Sequence, residues 1–338
     1  METAPVRPGE EIDLGRLAAW LRGRLDGADS AISVAQFPGG HSNLTYLLEA
    51  GGREYVLRRP PLGPVPLKAH DMAREYRVLH SIHPVFPAAP RVYLLCENPA
   101  VLGAPFFIME RRKGIVLRGR GPACIPLEPG FARRVSRAFL DCFVALHSID
   151  LPANDLLSLG KPEGFLQRQV QGWSERWRRA RTDDVTDLEH VIRWLAGHFP
   201  RPLPPAIVHN DFKLDNVMLD PTNIGRVEAV LDWEMTTIGD PLVDVGLSLC
   251  YWTYGLAGGP DLGIPGWYTR DEFIQEYAAR TRRDLSALAW YEVLGIFKLA
   301  VILQQIYCRW KAGQTRDPRF GALGGQVRAL IERAEERL

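Results

Sequence analysis

The stretch HNDFKLDNVML, residues 209–219, crowds carboxylates, an amide and a lysine against an apolar run. Asp211 and Asn216 stand five apart, just before a strand-like segment over 217–219, and a second strand-like segment ends at Asp232 in VLDWE. Pairing these two segments as a hairpin brings Asn216 and Asp232 to the same end. Two oxygen donors there suit Mg²⁺, a hard cation that prefers carboxylate, carbonyl and water oxygens. Asp211, held off the metal, can accept a proton from an alcohol, and Lys213 can meet a phosphate. These are the parts that phosphoryl transfer needs, because its catalysis is mostly positioning and charge neutralisation. Taken singly, each residue is as well explained as a turn former, since Asp and Asn favour turns.

The elements that must position these groups fall into two textures. Residues 11–25 read as a short amphipathic helix. AISVAQF, NLTYLLEA and REYVLRR read as strands, the last two joined through Gly51-Gly52, a compact hairpin signal. KAHDMAREYRVLHSI reads as a helix, and RVYLLCE and PFFIME as two more strands, so the first 110 residues predict a five-stranded antiparallel sheet with one helix. Beyond Arg111, Phe131, Val135, Phe139 and Phe143 recur every four residues, the spacing of a buried helix face, and further helices follow to the C-terminus. The expected division is a small β-rich region, 1–112, and a larger helical region, 113–338.

The bulk composition narrows the partners. A net charge of +1 gives no global field to recruit nucleic acid or an anionic membrane. The sequence shows no apolar run of the roughly 18–20 residues a span needs, and its first residues lack the apolar core of a signal peptide. The five cysteines are scattered, with no CxxC spacing, which points to a reducing compartment and a cytoplasmic location. The expected partner is a small molecule bearing a hydroxyl, with neither nucleic acid nor membrane.

The block from His209 to Asn216 resembles the kinase catalytic loop, H-R-D-L-K-x-x-N, and Asp232-Trp233-Glu234 stands where kinases carry D-F-G. GDPLVDVG, residues 239–246, is similar to the G-D-P-x-x-D-L-A segment of aminoglycoside phosphotransferases and choline kinases. GGHSNLTYLL, YVLRRPP and REYRVL extend the resemblance upstream, to the branch also found fused to acyl-CoA dehydrogenases; it covers roughly residues 30–310. The resemblance implies an α+β, protein-kinase-like, two-lobed fold that uses ATP and Mg²⁺ to phosphorylate a small-molecule hydroxyl. It implies Asp211 as the base with Lys213 beside it, and Asn216 and Asp232 as metal ligands. Arg58 takes the place of the phosphate-gripping lysine and Glu75 that of its helix partner. Backbone groups of 110–112, from Glu110 to Arg112, read adenine, and Gly40, Ser42 and Asn43 belong to the phosphate-covering loop.

Two departures stand out: arginine replaces lysine at 58, with Arg59 beside it, and the G-x-G-x-x-G loop is missing. Arg58 and Glu75 also fit an ordinary ion pair of little energetic value. His209 is expected to brace its loop, and Asp244 to anchor it from a helix start. The aromatic run CYWTYG, with Trp267 and Tyr268, reads as core packing by default, with a substrate-pocket lining as the alternative. Only eleven residues separate Asp232 from Asp244, too few for the activation segment of a protein kinase. The basic residues Lys161, Arg168, Arg176, Arg178, Arg179 and Arg181 read by default as a solvated helix face; read as a substrate wall, they suggest an anionic acceptor, a hydroxy acid or hydroxyacyl-CoA. The alternatives are an aminoglycoside or amino-alcohol kinase, or a nucleotide-binding pseudokinase.

Overall fold

A computed structural model describes residues 3–38, 43–61, 71–118, 130–185, 187–254, 259–260, 264–315 and 317–338. They form two compact units, Met1–Gly114 with Met218–Pro221 and Val227–Thr236, and the remainder of the chain. The short segments carrying Asp232 therefore pack with the N-terminal unit.

The small unit opens with helix α1 (Leu14–Leu21), shorter than the expected 11–25. The Asp13 carboxylate caps it by accepting from the Arg16 amide, and the chain turns out of the helix at Arg22 and the left-handed Gly23. Strands β1 (Ile32–Gln36), β2 (Leu44–Ala50) and β3 (Arg53–Arg59) follow. Ala50 pairs with Arg53 across Gly51-Gly52, both at positive φ, as a two-residue hairpin turn requires. Helix α2 (Met72–Ile82), strand β4 (Val92–Cys96), the single turn α3 (Pro99–Leu102) and strand β5 (Phe106–Glu110) complete an antiparallel sheet of order β1-β2-β3-β5-β4. The expected strand count holds. The α3 turn was not foreseen, although Asn98 as cap, Pro99 at its first position and the left-handed Gly103 after it are ordinary helix-boundary chemistry. Tyr46, Leu48, Leu57, Phe106 and Ile108 bury against Leu17 and Leu21 of α1.

The large unit contains β6 (Ile115–Val116), α4 (Phe131–His147), α5 (Phe165–Ala180), α6 (Glu189–Gly197) and β7 (Ala206–Val208). Strand β8 (Val217–Leu219) leaves this unit to pair with β9 (Val227–Val230), and β10 (Thr237–Gly239) returns to pair antiparallel with β7. Helices α7 (Leu242–Thr253), α8 (Arg270–Thr281), α9 (Leu288–Lys311) and α10 (Leu323–Glu335) follow. Phe131, Val135, Phe139 and Phe143 of α4 are all fully or nearly fully buried, as their spacing predicts.

Helix α9 revises the expectation about apolar runs. By length and composition it is long enough to cross a membrane, yet 72% of its apolar window is buried inside the protein. It packs on α7 at two glycines. A Cβ on Gly246 would collide with the Tyr291 carbonyl, and one on Gly295 would lie 2.9 Å from the Gly246 carbonyl oxygen. Larger residues at either place would force the helices apart.

Candidate functional site

Within the small unit, four acidic and basic side chains converge. Arg58, on β3, pairs through Nε with Glu75 of α2 at 3.1 Å and through an Nη with Asp232 at 2.6 Å. Glu234 lies 3.8 Å from the same guanidinium and accepts from the Asn43 amide at 2.7 Å. Burial opposes charge on Arg58, but Glu75, Asp232 and Glu234 more than offset it and push its pKa up. Burial of Glu75 acts the other way on a carboxyl: it raises the pKa against the pull of Arg58. The pair is therefore not the exposed ion pair that the sequence also allowed. Arg74 donates to the carbonyls of Glu234 and Thr236, which pins the segment after Asp232 to α2.

Asp232 itself sits at φ +66°. Trp233 fixes the turn by donating to the Val230 carbonyl at 2.8 Å and by packing edge-on against Phe86. Glu110 and Arg112 pair with each other at 2.9 Å, and Arg112 also reaches Glu228 at 3.0 Å, so their side chains hold β5 to β9. The Glu110 amide is spent on the Arg91 carbonyl. Gly40 and Ser42 lie outside the described residues.

In the large unit, the loop between β7 and β8 is held almost entirely by hydrogen bonds. Asn216 donates its amide to both the backbone oxygen of Asp211, at 2.9 Å, and its carboxylate, at 2.8 Å. That leaves the Asn216 side-chain oxygen, the metal-binding atom of an asparagine, as the end not used by the loop. Lys213 lies 2.9 Å from the Asp211 carboxylate, and Tyr251 donates to it at 3.3 Å. Burial, reinforced by Asp211, pushes the Tyr251 phenol well above its usual pKa, so it remains a donor.

One face of α7 braces this loop. Asp244, Ser248 and Tyr251 recur at intervals of four and three residues, which places them side by side on a helix. The Asp244 carboxylate accepts from the backbone amides of His209, at 2.5 Å, and Asn210, at 2.6 Å. Ser248 donates to the Phe212 carbonyl at 2.6 Å. Phe212 stacks on Phe143, centroids 4.4 Å apart, and His209 is fully buried beside it. Asn210 takes φ +66°; among the described residues only four non-glycine residues have positive φ, and Asn210 and Asp232 are two of them. Strained backbone of this kind persists where surrounding structure over-determines it.

Sequence reasoning missed Tyr251 and Ser248, which lay in or next to a run read as core packing. Their signal was the helical spacing from Asp244. The basic segment is largely spoken for. Arg178 pairs with Glu189, Arg179 with Glu175 and Arg181 with Asp187, while Arg168 donates to the Glu163 and Lys161 carbonyls. Among the described residues Arg176 has no carboxylate partner; it lies over the Trp173 ring, 4.4 Å from its centroid.

Each unit by itself carries donor types that suit a hard cation: the partly exposed Asp232 and Glu234 carboxylates in the small unit, and the Asn216 side-chain oxygen in the large one. Residues 33–296 match the sequence profile of the phosphotransferase enzyme family. The chain is 33% identical to mouse acyl-CoA dehydrogenase family member 10 over 98% of its own length but only 32% of that protein's, so it spans about a third of this curated relative. Among solved structures, a Ralstonia eutropha protein provisionally named an aminoglycoside phosphotransferase is 30% identical, with TM-score 0.82 over 97% of this chain and 98% of that one. An aminoglycoside phosphotransferase APH(4)-Ia in ternary complex with AMP-PNP and hygromycin B (18% identity, TM-score 0.61, 95% and 98% coverage) shares the fold. So does choline kinase from Cryptosporidium parvum (14% identity, TM-score 0.67, 96% of each chain). With this α+β kinase-like fold and a family match across most of its length, the chain belongs to the phosphotransferase enzyme family.

Proposed function

We propose that this protein transfers the γ-phosphoryl group of ATP to a hydroxyl of a small molecule, with Asp211 as the residue that orients and deprotonates the acceptor. The observation that carries this reading is the Asp211 carboxylate, fixed at once by Asn216, Lys213 and Tyr251 on a loop that α7 braces. A base so held needs little rearrangement when the acceptor arrives, which is how positioning lowers the barrier. Lys213, beside the same carboxylate, supplies positive charge for the transferred phosphoryl group. Arg58 engages phosphate oxygens as a planar, two-pronged donor in place of the usual lysine. Asn216 and Asp232 would hold Mg²⁺, which when bound neutralises charge on the phosphates. Asn43 would act with Gly40 and Ser42 over the phosphates, and the backbone of 110–112 would take adenine.

The acceptor class we propose is anionic: a hydroxy acid or hydroxyacyl-CoA. Two facts support it: the matched relative is named an acyl-CoA dehydrogenase family member, and among the described residues Arg176 has no carboxylate partner. Purified protein should be assayed for ATP consumption with neutral sugars, aminoglycosides, hydroxy acids and hydroxyacyl-CoAs in parallel, with Asp211→Asn as control. Turnover with the acids that Asp211→Asn lacks is expected. Turnover of aminoglycosides alone would overturn the acceptor class, and an Asp211→Asn protein as active as wild type would overturn the site.

A further inference from the structure

A buried lysine lies behind the Asp211 loop and has no role in the chemistry just described. Lys298 stands in the middle of α9, 1% exposed, on a helix that is otherwise mostly apolar there. Placing an ammonium in such a position costs several kcal/mol unless it is paired. Its hydrogen-bond partner is neutral: Nζ donates to the Asn210 side-chain oxygen at 2.9 Å, and the Trp173 ring lies 5.5 Å away on α5. Asn210 is the residue immediately before Asp211, and its backbone is left-handed. Its amide is already fixed by Asp244. One residue is thus gripped at its backbone from α7 and at its side chain from α9.

We propose that Lys298 is a positioning residue for the reaction: by gripping the Asn210 side chain it locks the left-handed backbone at 210 that aims Asp211, and it does so as the charged ammonium. The inference rests on the assignment of Asp211 above. Asparagine tolerates left-handed φ better than most residues but less well than glycine. The second grip explains why a side chain is kept at 210 in a place where glycine would adopt the backbone freely.

The groups facing Lys298 are Asp244 and Cys250 of α7, Asp211 of the loop and Arg176 of α5. Burial, with Arg176 acting the same way, pushes the ammonium down to about 8 against the upward pull of Asp244 and Asp211, and Cys250, its thiol raised by burial, stays neutral near pH 8. Charge is therefore present below about pH 8 and lost above it, and activity should fall across that value. Stability linked to this group moves the other way. An unfolded lysine keeps its proton to about pH 10.4, so the unfolded state binds more protons across the interval and the burial cost fades as pH rises.

Three variants test this. Lys298→Met should lower kcat about tenfold with ATP KM unchanged. In an Asn210→Gly background the same change should cost less than about twofold, because glycine needs no grip. Lys298→Arg, charged throughout, should move the alkaline limb of the kcat profile upward. The melting-temperature difference between wild type and Lys298→Met should shift in favour of wild type from pH 8 to 10. A merely structural lysine would give equal losses in both backgrounds and an unmoved limb, and either result overturns the proposal. A crystal structure of Lys298→Met reads φ at Asn210 whether or not the protein turns over ATP. A left-handed Asn210 in it, with kcat intact, overturns the proposal, whereas activity retained by Asp211→Asn overturns the reading of the site itself.

Discussion

The two clusters of functional side chains are built on opposite principles. In the small unit, three carboxylates lean on the Arg58 guanidinium, and what holds them is charge. In the large unit, the Asp211 loop is held mainly by hydrogen bonds, its amides to the Asp244 carboxylate and others from a serine, a tyrosine and an asparagine, most of them buried, with the Lys213 ion pair beside them. Charge clusters re-partition when a new ion arrives, since the favourable terms are Coulombic and their partners are interchangeable. Hydrogen bonds to backbone do not re-partition without moving the chain. The small unit is therefore suited to receive a charged ligand, and the large unit to keep one carboxylate still while another group moves.

That contrast predicts which quantity each substitution changes. Asp211→Asn should leave folding and ATP affinity near wild type while lowering turnover by about two to four orders of magnitude, the span of general-base loss; stopped-assay turnover with calorimetric ATP binding checks both. Asp244→Ala removes a buried acceptor from two amides. It should cost about 3 kcal/mol of stability and most of the turnover, seen by denaturant melts, because the freed amides have no substitute partner. A fully stable Asp244→Ala protein would mean the loop is held elsewhere.

In the small unit the loss should appear in binding. Asp232→Ala should abolish the gain in ATP affinity that Mg²⁺ confers, measured by titration with and without the metal. Arg58→Ala should weaken ATP by about tenfold and Arg58→Lys should recover part of that if the grip is chiefly Coulombic; no change in either would pass the role to Arg59. The smallest effect belongs to Tyr251→Phe. Its 3.3 Å bond is long, and turnover should fall only about two- to tenfold, the worth of one net hydrogen bond.

The sheet and the long helices could be read ahead because they rest on local periodicity, and Asp211, Asn216 and Asp232 because they sit in short motifs; Arg58 and Glu75 came from the resemblance, and Ser248 and Tyr251 were not seen. Gly51-Gly52 announces its hairpin, and Phe131 to Phe143 their buried face. What could not be read rests on contacts between distant residues. Nothing near Lys298 in sequence indicates Asn210, 88 residues earlier. The basic run from Arg168 to Arg181 could be a solvated helix face or a ligand-facing wall, and the sequence does not separate the two because partners such as Glu189 and Asp187 come later in the chain. The α3 turn was overlooked for a different reason: a single turn between strands has no period to detect.

Gly246 and Gly295 make the α7–α9 crossing a gauge with no slack. The face of α7 that carries Asp244, Ser248 and Tyr251 and the ammonium of α9 grip consecutive residues of one loop, so the spacing of the two helices sets how firmly Asp211 is aimed. One methyl group at Gly246 would wedge the helices apart at the Tyr291 carbonyl and be felt at a carboxylate it never touches. In a lineage drifting under mutation, the surface arginines can be exchanged at little cost, while these two places, with no chemistry of their own, admit almost nothing but hydrogen.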